Sequence, residues 1–138
     1  MQPSLLVANP GWLNAVKWLT IATLVSSILH YVDNVIFFAD YPEPVWINPG
    51  MVDVFWLVMT PLAPLGYKWM KQGHLHLGAG VLVLYGLCNM LSLGHYNYAP
   101  MAHISAKIHL FILIEAVLAL GLIGVVLMAC FPLMKPRT

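Results

Sequence analysis

Four long apolar runs are separated by short interruptions, "NPGW", "YPEPVWINPG", "KWMKQGH" and "HYNYAPMAH", whose proline, glycine, asparagine and charged residues end or turn a helix. The apolar runs predict helices at about 12–38, 50–67, 76–94 and 104–131, close to the roughly 20 residues that span a hydrocarbon core. Backbone groups in such surroundings must pair within their own segment, which selects helices over open sheet. The expectation is an all-α, multi-pass integral membrane protein, with residues 1–138 forming one four-helix transmembrane bundle. The first and last runs exceed what a bilayer core requires, so tilt, or emergence at one end, is expected of them. In "LVMTPLAPLGY", Pro61 and Pro64 each remove a backbone donor and crowd the preceding turn, so the second helix should kink or break there and leave room for a cavity.

Composition strengthens this picture and narrows the partners. With 61% hydrophobic and only 8% charged residues, the chain lies outside the range of soluble domains. A net charge of +1 with no basic run excludes a nucleic-acid-binding surface. The expected partners are apolar: a membrane lipid, a sterol-like or isoprenoid small molecule, a second copy of the chain, or a larger membrane complex. Lys68 and Lys71 mark one connection and Lys135 and Arg137 the C-terminus, and four spans bring these regions to one side. The positive-inside rule makes that side cytoplasmic, together with both termini. Lys107 opposes the rule, but it lies near an interface to which its stem can snorkel. The N-terminus lacks the early Lys/Arg cluster and the cleavage site of a signal peptide, so the first apolar run is expected to be retained as a helix. Cys88 and Cys130 fall in different runs without CxxC spacing and read as packed thiols. No internal repeat supports an inverted-repeat transporter.

The polar residues inside the runs supply the candidate chemistry. His30 and Asp33 of the first helix, Asp53 of the second, Asn89 of the third and His109 of the fourth fall in one layer, in the half of the bundle away from the lysine turn. Glu115 lies deeper, where an ionised carboxylate facing lipid would cost at least a few kcal/mol, so it should face the interior or carry a proton. His30, Asp33 and Asn34 share one helical face, and that spacing predicts a single hydrogen-bonded network. Ionisable groups within a span are functional candidates. His30, Asp33 and Glu115 are therefore the candidate acid/base residues, and Asn34, Trp46, Asp53, Asn89 and His109 the candidate ligand contacts.

Asp53 also suits the N-terminal end of the second helix. His74 and His76 read as solvated interface residues, and His95, Tyr96, Tyr98 and His103 as a polar and aromatic belt. Trp12, Trp18, Trp46 and Trp69 read as interfacial anchors, with Trp46 also able to cover a cavity mouth. Ser26, Ser27 and Ser105 suit close helix packing. The sequence contains no HExxH, no paired histidine boxes of a di-iron hydroxylase and no GxSxG. No cofactor and no metal are expected. The alternatives are a redox membrane anchor with haem b held between His30 and His109, and a noncatalytic subunit of a larger assembly.

The order of these features resembles the EXPERA family, which includes a sterol isomerase and a sigma receptor. The shared elements are a first helix ending in histidine and acidic residues, the connection "PEPVWI", a second helix with "MTPLAP" followed by "YKWMK", and two further apolar helices. Pro44-Val45-Trp46 is similar to the family's proline-and-tryptophan signature before the second helix. The resemblance implies a helical membrane architecture and a buried cavity lined by acidic and histidine residues, taking sterol-like or cationic amphiphilic ligands. It would make Asp33 the cavity acid of the first helix, assisted by His30. If the chain is an enzyme, the implied reaction is proton-transfer isomerisation at a carbon–carbon double bond of a lipid-like substrate, with Glu115 or His109 stabilising the opposite charge. Where the family carries a carboxylate midway along the second helix, this chain has Asp53 near its start.

Overall fold

The computed structural model describes residues 10–130. Lys135 and Arg137, which carry part of the expected sidedness, lie outside the described residues. Five α-helices occur among the described residues: α1 (Pro10–Ile36), α2 (Pro49–Met59), α3 (Leu62–Lys71), α4 (Leu75–Met90) and α5 (Ala106–Cys130). Short 3-10 segments flank them, and one of these, Leu91–Asn97, continues α4 directly. With α2 and α3 taken as one broken span, four segments are long and apolar enough to cross a membrane: Gly11–Ile36, Pro49–Lys71, Leu75–Asn97 and Ala106–Cys130.

Local chemistry sets the boundaries. Asn48 caps α2 by accepting the Met51 amide at 3.1 Å, with Pro49 next in the first turn, where its missing donor costs nothing. The break between α2 and α3 falls at Thr60 and Pro61. Pro61 cannot donate to Leu57, and Pro64 cannot donate to Thr60, so the Thr60 carbonyl accepts from the Ala63 amide at 3.2 Å instead. Helix α3 then runs on to Lys71, past the expected end near 67, and closes with a Schellman arrangement. The Gly73 amide donates to the Met70 carbonyl and the His74 amide to the Trp69 carbonyl, with Gly73 at φ 88°. Helix α5 starts at Ala106, two residues later than expected, where the Ser105 hydroxyl accepts from the Ile108 amide at 3.4 Å.

Helices α3 and α4 make the closest crossing. A Cβ added to Gly78 would meet the Gly66 carbonyl oxygen, Met70 Cγ and the Met70 amide nitrogen, each at 2.6 Å. With only hydrogens where side chains would stand at Gly66 and Gly78, the two backbones come into direct contact. The larger core packs Val16, Met59, Met70, Leu82, Tyr85 and Leu122 together, and a smaller one joins Tyr41, Ile104, Ile108 and Ile112. Along α5, Glu115 falls between the two. The outer faces are also apolar: Leu110, Leu113, Val117 and Leu120 of α5 and Val54, Leu57 and Val58 of α2 are all exposed. A helix apolar on every side suits a non-aqueous surrounding.

Charge divides between the two ends. Lys17, Lys68 and Lys71 lie where α1 begins and α3 meets α4, whereas Asp33, Asp40, Glu43 and Asp53 lie at the opposite end. Lys107, among the described residues the lysine at the acidic end, is held by Asp33 at 2.9 Å and rests 3.7 Å from the centre of the Phe37 ring.

Candidate functional site

A cavity of about 390 Å³ is lined by α1, α2, the end of α4 with its 3-10 continuation, the 42–48 connection and Glu115 of α5. Helix α1 presents Ser27, His30, Tyr31 and Asn34 to it, a spacing that places them along one face. Asn89 at the end of α4 is followed by Ser92 and His95 in the 3-10 continuation, where residues three apart eclipse one another, and all three reach the cavity. Helix α2 supplies a mainly apolar wall of Met51, Val52, Phe55, Trp56 and Met59. Trp46, 65% exposed, lies at the rim.

The His30 and Glu115 side chains, both 7% exposed, are hydrogen-bonded through Nδ1 and Oε2. Burial of either group by itself would be strongly unfavourable, and the contact pairs them. The His30 ring stacks on Phe111 with an interplanar angle of 3° and touches Tyr41 and His95, at centroid distances of 5.6 and 5.7 Å. A second histidine–carboxylate pair sits beside the first. His95 Nδ1 lies 3.6 Å from Glu43 and 3.3 Å from the Pro42 carbonyl. Since a carbonyl only accepts, Nδ1 of His95 carries the hydrogen. Glu43 also accepts from Asn34 Nδ2 at 2.9 Å.

Of the residues expected from the sequence, His30, Glu115, Asn34, Trp46 and Asn89 converge on this cavity, and three do not. Asp33 is not the partner of His30. It accepts from the Tyr41 hydroxyl at 2.8 Å and from Lys107 at 2.9 Å. Three residues along a helix amount to a rotation short of a full turn, which suffices to swing Asp33 out to the rim while His30 faces α5. Burial, together with the bond to Asp33, raises the Tyr41 hydroxyl well above the usual phenol range, so it remains a donor. Asp53 lies beyond the first turn of α2 and accepts from the Tyr31 hydroxyl at 2.6 Å, with Tyr31 stacked on Trp56. It braces α2 against α1 rather than lining the cavity.

His109 is likewise committed elsewhere. Its Nε2 donates to the Met101 carbonyl at 2.9 Å, so its Nδ1 accepts from the Tyr96 hydroxyl at 3.0 Å. A shared haem would require His109 to give up the Met101 or the Tyr96 bond. Among the described residues no group of three or more His, Cys, Asp or Glu side chains is placed to hold a metal ion.

His95, which sequence reasoning placed in an interfacial belt, and Glu43 and Tyr41, to which it gave no role, are the further residues gathered around the His30–Glu115 pair. The signal that could have found His95 is the three-residue spacing of Asn89, Ser92 and His95. Glu43 and Tyr41 fold back from an irregular connection that carries no periodic signal. The chain matches no family model, no curated protein and no solved structure.

Proposed function

We propose that this chain is a multi-pass membrane protein whose cavity binds a lipid-like molecule, sterol-like or isoprenoid, with its polar group near His30 and Glu115. The observation that carries the reading is the pairing of an apolar wall on α2 with a deeply buried His–Glu pair on the opposite side of one cavity. Ligand sites generally combine a mainly apolar lining with a few convergent polar groups. In the EXPERA-like reading, the cavity acids of this chain are Glu115 and Glu43, and Asp33 belongs to the rim. Any isomerisation would use the His30–Glu115 pair to pass a proton, since acid/base work needs a group within hydrogen-bond reach of the substrate.

A cavity-filling substitution tests the reading. Val52→Trp projects an indole into the space from α2, whose outer face is free to adjust. Protein purified in mild detergent should lose most of its co-purifying lipid-like molecule by mass spectrometry, with a nearly unchanged melting temperature. Equal ligand content in the variant and the parent would overturn the assignment of this cavity.

The orientation belongs to the same proposal, with the lysine end cytoplasmic. Gln72 and Asn97 are both exposed, at opposite ends of the bundle. With single cysteines at these positions in a background lacking Cys88 and Cys130, an impermeant maleimide applied to intact cells should label position 97 only. Labelling of position 72 alone would mean the reverse insertion.

A further inference from the structure

Helix α2 is the cavity wall that the core does not hold. Among the described residues of α2, Met59 at its end is the one that is buried and joins the larger core, and the smaller core takes none of α2. The apolar stretch of the second span is 17% buried, against 33% in each of the other three. The remaining walls are fixed by extensive packing of α1 on α5, α4 on α5 and α3 on α4. Segments with few buried apolar contacts open at the least cost.

The polar and aromatic attachments of α2 to the bundle meet in one residue of α1. The Tyr31 hydroxyl donates to Asp53 Oδ1 at 2.6 Å, and its ring stacks on Trp56 at a centroid distance of 4.5 Å. Both ends of α2 suit a pivot. At one end Pro61 and Pro64 have already removed two helical hydrogen bonds, so bending there breaks few more. At the other, Glu43 is fixed by Asn34, and residues 44–48 form a short strap in which Val45 and Trp46 are exposed. Asn48 caps α2 from within its own first turn, so the helix keeps its cap when it moves. Its outer face, with Val54, Leu57 and Val58, is apolar and exposed, which suits motion against acyl chains. We infer that α2 is a lateral gate: it swings as a unit about Thr60 and Pro61, opens the cavity sideways to the bilayer, and is latched shut by Tyr31. The inference rests on the lipid-binding reading for what passes the gate, whereas the motion is a property of the fold.

The test uses full-length protein in phosphatidylcholine nanodiscs. Spin labels are placed, in a background lacking Cys88 and Cys130, at Val54→Cys and Leu84→Cys to read α2 against α4. Val25→Cys with Leu84→Cys is the control within the fixed helices, and all three positions are exposed. The α2 pair should give a distance distribution at least about twice as wide as the control. Tyr31→Phe keeps the stack on Trp56 but removes the hydrogen bond, and should raise the displaced population about threefold or more. Passage is read by stopped-flow energy transfer from tryptophan to retinol and to dehydroergosterol. In Tyr31→Phe the association and dissociation rates should both rise severalfold with Kd nearly unchanged, a pattern that altered packing of the cavity would not produce. A distribution as narrow as the control, or one that Tyr31→Phe leaves unchanged, overturns the gate, and the lipid reading survives if the probes bind. Motion with unchanged rates overturns α2 as the entrance. Failure of both probes to bind overturns the lipid reading itself, and the gate's role with it, whatever the labels report.

Discussion

Replacing His30 by leucine alone should destabilise the bundle by about 3–5 kcal/mol, because it strands the Glu115 carboxylate in an apolar interior. Replacing both His30 and Glu115 by leucine should restore most of that stability, since a buried ion pair exchanged for apolar groups of similar volume is often neutral. The double variant should nevertheless lose its bound lipid-like molecule. The two variants separate a folding role from a binding role, provided that thermal unfolding in detergent and ligand content are measured on the same samples. A double variant that keeps its ligand and melts as early as the single one would make the pair a structural clamp. The comparable change at Asp33 should act differently: its partners are the buried Tyr41 and the exposed Lys107, and none of the three lines the cavity. Asp33→Leu should therefore leave ligand content nearly unchanged.

The second large effect is expected far from the cavity. Gly78→Val should cost about 1–3 kcal/mol or more, because the new side chain would press on the Gly66 carbonyl and on the Met70 backbone, neither of which can rotate away. Gly80, on the same helix, has open space around its Cβ position and provides the control. Gly80→Val should behave almost as the parent does in urea or SDS titration, apart from the small loss that a β-branched residue brings to a helix. Equal losses at the two positions would mean that helix propensity, and not the α3–α4 contact, dominates.

The apolar runs marked the helical segments because hydropathy is summed over many residues and tolerates local exceptions. The break at Pro61 was legible for a similar reason: a missing donor has a fixed local consequence. The pairing of site residues was much less so. His30 and Asn34 were recognisable as polar groups on one helical face, yet the nearest acid in sequence, Asp33, was taken for the partner that proves to be Glu115, 85 residues away. Helical spacing says which residues share a face; it does not say which neighbouring helix that face meets. His95 stands with Tyr96, Tyr98 and His103 in a polar and aromatic connection, which reads as an interfacial belt, whereas the 3-10 continuation of α4 carries it inward.

The distance along the chain between His30 and Glu115 also orders the making of the molecule. Helices α3 and α4 are joined by a three-residue turn and can close as a hairpin as soon as both have been synthesised. The histidine, by contrast, is made early and has no carboxylate to meet until α5 has been translated. Contacts of such separation are slow to form, and domains emerging from the ribosome acquire them last. A nascent chain halted before residue 115 would contain three of the four apolar segments and only the histidine half of the pair, so closing the His30–Glu115 contact is a late step of biogenesis, coupled to the arrival of the final helix.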